Sequence, residues 1–158
     1  MSDARFEDGA EQPLRLLAET AEDLAILSAL VQDAVFQASE MAYRPGKREF
    51  ALLLNRFRWE DRETAKRQKR PFERVQSVLL VSDVLKVASQ GIDRGDRDTV
   101  LSLLSVTFEA AQDGAGEILL TLAGDGAIRL SVECLNLHLR DVTKPYVAPS
   151  GKAPDHHL

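Results

Sequence analysis

The chain of 158 residues holds one cysteine, Cys134, and one tryptophan, Trp59. A lone cysteine cannot close an internal bridge, so no disulfide framework staples the fold, and a reducing compartment suits it. Nor does any window approach the ~18 consecutive apolar residues of a membrane span. The first twelve residues carry Asp3, Glu7, Asp8 and Glu11 and no apolar run, which argues against a secretory leader. Walker-type glycines, zinc-finger spacing and aromatic RNA-binding signatures are missing as well. These absences predict a cytoplasmic protein with no cofactor and no metal.

What is present is ordinary for a soluble chain: 44% hydrophobic and 28% charged residues, enough apolar side chain for one domain-sized core. Positive charge is unevenly spread. Between Arg44 and Arg74 lie eleven Lys/Arg against five acids, a balance of +6, while the whole chain carries −5. The remainder therefore sums to −11. A local positive field inside an acidic protein is the strongest hint of a partner.

The expected organisation is a loose acidic N-terminus over 1–12, one α+β domain over 13–147, and an irregular Pro-rich tail over 148–158. A short strand starts at Pro13. Thr20 suits a helix N-cap, and Glu22 and Asp23 in the first turn suit the positive helix end. Leu24, Leu27, Leu30 and Val31 then make one apolar stripe, so an amphipathic helix is predicted from Ala21 to about Asp33. Val35 and Phe36 begin extended chain, and Arg44-Pro45-Gly46-Lys47 is a turn signal. Phe50 to Trp59 reads as a strand that begins buried on both faces and ends with Arg56, Arg58 and Glu60 on a wet face.

Asp61 to Pro71 is nearly free of apolar residues and reads as a long charged connection. Strands follow at Val75–Val81 and Val84–Ala88, then a polar loop over Gly91–Asp98. Further strands run through Leu104–Phe108 and Ile118–Leu122, and Asp125-Gly126 suits a two-residue primed hairpin turn. Beyond Ile128–Cys134 the apolar parity switches to Leu135, Leu137 and Leu139. That switch means a bulge, a change of sheet or a turn into helix. The sum is one N-terminal amphipathic helix packed on a curled, mostly antiparallel sheet or partial barrel of about seven or eight strands.

Three blocks carry a resemblance: Leu14–Glu19 leading into Glu22–Ala25 and Gln32–Val35; Phe50–Glu60, with its Asn-Arg-Phe-Arg-Trp-Glu run; and Leu122–Leu130 with Val132–Cys134 and Asp141. Across most of residues 14–142 the chain resembles an alphaproteobacterial family, domain-of-unknown-function family 2948. The resemblance implies a bacterial cytoplasmic protein and brings no catalytic or binding residue with it.

The candidate chemistry comes from the residues alone. Arg56, Arg58 and Glu60 would step along one strand face about 6.7 Å apart. Guanidinium groups there could grip phosphate or carboxylate, or pair with Glu60 and cross-strand acids. Lys66, Arg67, Lys69 and Arg70 form a cation cluster that would attract nucleic-acid phosphate or an acidic protein patch, including one on a second copy, or simply be solvated. Cys134, His138 and Asp141 would share a helix face. On a strand, Cys134 and His138 would stand about 13 Å apart, too far for proton transfer. His156 and His157 are too few for a metal site, and Asp93, Asp96 and Asp98 depart from the calcium-loop pattern.

The leading expectation is a non-enzymatic binding or accessory protein that contacts a protein partner through a basic arm, residues 56–74, by way of Arg56, Arg58, Lys66, Arg67, Lys69 and Arg70. The alternatives are a nucleic-acid or ribosome-associated protein using the same arm, and a small enzyme using Cys134, His138 and Asp141. A homo-oligomer would cover apolar surface left by a two-sided strand.

Overall fold

The computed structural model describes residues 12–93, 95–148 and 153–154. His156 and His157, most of the acidic N-terminal stretch and most of the Pro-rich tail lie outside the described residues. Among the described residues, eleven strands form one antiparallel sheet that does not close, with two α-helices beside it. The expected architecture holds in outline. The strand count is higher than expected: β2 (Val35–Gln37) is the extended chain expected there, the stretch after Cys134 is strand, and β3 (Met41–Arg44) and β11 (Tyr146–Val147) are only four and two residues long. Such short strands leave too little periodicity to read. Tyr146 and Val147 pair with Arg74 and Glu73, and Ala148 is buried, so ordered chain runs slightly past 147.

The sheet begins with β1 (Arg15–Ala18), followed by the helix α1 (Ala21–Leu30). Asp23 N–H donates to the Thr20 hydroxyl at 3.1 Å, and Glu19 N–H reaches back to the Asp23 carboxylate at 3.4 Å. This reciprocal cap satisfies free donors at the helix start. Leu24, Leu27 and Val31 are buried, and α1 lies against β1 and β7 (Val100–Ala110). The helix stops at Leu30, short of the expected Asp33, because Asp33 turns left-handed (φ 64°) and donates its N–H to Leu103 O. That bond starts the pairing of β2 with β7.

Two halves meet in one core. The first contains β1, β10 (Leu137–Asp141), β5 (Glu73–Val81) and β4 (Glu49–Phe57), in that order. The second contains β7, β8 (Gly116–Leu122), β9 (Ala127–Val132) and β6 (Val84–Gln90). β2 joins them, pairing β4 at Val35–Asn55 and β7 along its length. The inner residues Leu52, Leu54 and Leu79 of one half and Ile118, Leu120 and Ile128 of the other belong to one apolar cluster. The curl brings the start of β6 to the β3–β4 corner, where Val84 N–H donates to Arg48 O and the Tyr43 hydroxyl donates to Val84 O.

The parity switch after Cys134 is a change of sheet half. β9 pairs β8 and β6, a bend follows, and β10 resumes as strand between β1 and β5. In β7 the register shifts between Leu103 and Ser105, so the buried positions are Leu103 and Val106, with Leu104 half-buried. Ser28 of α1 accepts from Val106 N–H at 2.9 Å, tying the helix to the bulge. The β8–β9 hairpin forms as expected, but Leu122 pairs Gly126 and the connection is Ala123-Gly124-Asp125, with positive φ at Gly124 and Asp125.

Candidate functional site

The inward positions of β4 are Phe50, Leu52, Leu54 and then Arg56, all at one parity. Arg56 is therefore a core residue, 0% exposed, and the face expected to be wet is dry. The reason lies in its neighbours. Two adjacent strands each also carry one polar side chain at inward parity: Ser77 on β5 and Asp141 on β10, which pair across the strands. The Arg56 guanidinium donates through Nε to Ser77 Oγ (3.0 Å) and through Nη2 to both Asp141 oxygens (3.0 and 3.1 Å). It also forks onto Glu60 (2.9 and 2.7 Å). Ser77 donates to Asp141 at 2.6 Å, and Leu14 N–H donates to the other Asp141 oxygen at 2.9 Å. Burial works against the Arg56 charge, but the bonds and attraction to Glu60 and then Asp141 outweigh it and raise its pKa above the ordinary guanidinium value.

A second set of ion pairs sits beside the first. Arg58, 6% exposed, leaves β4 at a one-turn 3₁₀ segment, Trp59–Asp61, and pairs with Glu73, with Asp61 at 3.6 Å. Arg70 clamps buried Asp61 with two bonds of 2.7 and 2.6 Å. This Arg70 bond, opposed by burial and helped by the Arg58 charge, holds the Asp61 carboxyl below the usual carboxylate range. Arg74 is held by Asn55 Oδ1 (2.7 Å) and Asn55 O (3.0 Å), and burial lowers its pKa. Trp59 donates to Gln32 O at 2.9 Å, meets the Phe57 ring edge-on at 4.7 Å and has the Arg62 guanidinium over its face at 6.0 Å, so it is part of the packing.

The expected charged connection is partly helical. α2 (Arg62–Arg67) follows the 3₁₀ segment, with Ala65 buried. Its C-terminus closes by Lys69 N–H to Lys66 O (3.3 Å) and Arg70 N–H to Ala65 O (3.0 Å), with Lys69 left-handed at φ 55°. These are the two bonds of a Schellman cap, normally built on glycine. Lys66, Arg67 and Lys69 are exposed and form no ion pair with a described residue. Thus the six residues named for the basic arm divide: Arg56, Arg58 and Arg70 are matched by acids, and Lys66, Arg67 and Lys69 face solvent. A cleft of about 800 Å³ opens between the ion pairs and residues 143–145, lined by Arg58, Asp61, Arg70, Glu73 and Lys144.

Cys134, His138 and Asp141 do not come together. His138 is outward on β10 and Asp141 points inward to Arg56, on opposite faces of the strand. Cys134 lies in the preceding bend, bonded to Asp83 at 3.2 Å, which raises its pKa and works against a thiolate. Asp93 and Asp96 accept from the nearby N–H groups of Gly95 and Asp98. Among the described residues no group of three or more His, Cys, Asp or Glu could hold a metal ion. None of their helices is long and apolar enough to cross a membrane. Sequence reasoning missed Ser77, Asp141 and Glu73 as partners of the arginines. The available signal was one polar residue at inward parity on each of three strands.

Fold and site together define an α+β domain whose open antiparallel sheet locks a charged corner with buried arginine–carboxylate pairs. The family model described as "Protein of unknown function (DUF2948)" matches residues 14–156, and the chain belongs to that family. No curated protein and no solved structure matches it.

Proposed function

We propose that this chain is a non-catalytic accessory protein of the cytoplasm that contacts an acidic surface on a protein partner through the outer cations of its basic arm. The observation that carries the reading is Lys69. It occupies a left-handed cap position that costs a non-glycine residue about 1–2 kcal/mol, and it does so beside exposed, unmatched Lys66 and Arg67. Strained backbone of this kind is found at ligand clamps and active sites as well as in turns, where Asp33, Arg48 and Asp125 also adopt it. The Arg70–Asp61 clamp fixes the presenting turn, so little ordering entropy would be lost on binding. A protein patch suits the arm better than nucleic acid, because the rest of the chain sums to −11 and would repel a polyanion.

The test is affinity capture from cells that express the protein, with and without nuclease, comparing wild type with a Lys66→Gln, Arg67→Gln, Lys69→Gln variant. Arg70 is left intact because its loss would disturb Asp61. A protein retained by wild type and lost by the variant under both conditions supports the proposal. Loss of that protein on nuclease treatment points to nucleic acid. Identical sets from both chains reject any role for these cations.

A further inference from the structure

A separate surface, the outer face of β1 and β10, sets like charges side by side. Arg15 on β1 and Arg140 on β10 are direct cross-strand partners, so their side chains share the outer face of the sheet. Both are exposed, and neither makes an ion pair with a described residue. Like charges directly opposite on neighbouring strands are destabilising. Two residues along, Leu17, 43% exposed, stands beside exposed His138, with Leu80 of β5 half-buried on its other side, while Val78 is half-buried opposite Arg140. Together these residues line a groove of about 380 Å³. β1 ends the sheet, and α1 packs against it.

We infer that the outer face of β1, β10 and β5 is a docking surface for an extended acidic segment of a partner protein. Charge decides the occupant. A carboxylate set between Arg15 and Arg140 removes their repulsion and accepts forked bonds from either guanidinium. The next side chain on the same face of an extended segment lies two residues on, about 6.7 Å away, over His138 between Leu17 and Leu80. The recognised pattern is therefore an acid, any residue, then an aliphatic residue. A second copy of this chain is disfavoured as the occupant, since a two-fold contact would bring four guanidinium groups together.

The experiment titrates full-length, isotope-labelled chain with acetyl-Glu-Ser-Leu-Ser-Val-amide and follows amide shifts. The control peptide replaces Glu by Lys. Saturable shifts confined to β1, β10 and the Val78–Leu80 stretch are expected with the acidic peptide. Arg15→Gln and Arg140→Gln should each weaken binding about tenfold, the scale of one charge-assisted contact. Each should also raise the thermal midpoint of the free protein by about 1–2 °C, because the repulsion is gone. Absence of saturable shifts, equal response to both peptides, or shifts centred on α2 would overturn the inference. So would arginine variants that bind as well as wild type.

Discussion

Arg56 and Lys66 come from the same basic stretch, yet the fold treats them in opposite ways. Arg56 continues the inward parity of Phe50, Leu52 and Leu54 and ends in a cage of Ser77, Asp141 and Glu60. Lys66 stands on a short helix, exposed, and forms no ion pair with a described residue. Net charge over a window therefore reports nothing about accessibility. Strand parity does, because a cation at a dry position is tolerated only where neighbouring strands supply matching polar groups at the same depth. The inner arginines are matched by acids at the corner, and the outer cations face solvent.

The sharpest way to break the comparison is Arg56→Met. It strands Asp141, which is 5% exposed, and leaves Ser77 with fewer partners. Removing one member of a buried pair costs about 3–5 kcal/mol, so chemical denaturation should show a loss of that size. Arg56→Met combined with Asp141→Asn should recover part of it, since the orphaned charge is gone. If Arg56→Met is as stable as wild type, the pair is not holding the corner.

Asp61 sharpens the same contrast through pH. Its carboxyl titrates below the usual range because of Arg70, with Arg58 adding to it and burial opposing. A depressed folded-state pKa contributes stability that is fully present above the unfolded carboxyl value, about 3.9. That stability is lost as pH falls through the lower folded value. Asp61→Asn should cost about 2–3 kcal/mol near neutral pH, the scale of hydrogen bonds to a charged group. Its disadvantage should shrink as the pH is taken below about 4, where wild type also loses the carboxylate. A constant deficit across the acid range would show that the Arg70 clamp does not depend on charge.

Much of the fold was legible. The helix cap at Thr20, the apolar faces of β5, β8 and β9, and a hairpin between β8 and β9 each follow from local rules of spacing and turn chemistry, although the turn sits at Ala123-Gly124-Asp125 and not at Asp125-Gly126. The arginine site was less so. The inward parity of Arg56, Ser77 and Asp141 can be read strand by strand, but their meeting depends on β10 lying beside β5 and β5 beside β4. Strand order is a long-range property that no single window carries. The same limit applied to Cys134 and His138, whose separation followed from a change of sheet half.

A smaller effect should appear in the other half of the sheet, where the Arg129–Glu117 ion pair is solvent-exposed. Gly91 leaves β6 at φ +71°, and a Cβ there would stand 2.9 Å from Gly126 Cα in the β8–β9 turn. Gly91→Ala should cost about 1–2 kcal/mol from the left-handed backbone, and more if the turns cannot part. Denaturant midpoints measured at constant m-value will report it. A neutral result would mean that the two turns give way easily, and that this half is looser than the charged corner.

The smallest expected effect has the opposite sign and concerns an outer cation. Lys69 holds the left-handed position of the α2 cap, with both cap bonds formed by backbone groups that survive substitution. Lys69→Gly relieves the left-handed strain, while glycine's freer unfolded chain takes back part of the gain. A net stabilisation of about 0.5 kcal/mol should remain, set by the difference of those two terms. The measurement is paired: denaturation for stability, and capture of the partner for contact. More stability with weaker capture is the signature of a residue kept for its amine and not for its backbone. Lower stability would instead mean that the lysine stem packs on the helix end, which would move Lys69 to the structural side of the comparison alongside Arg70.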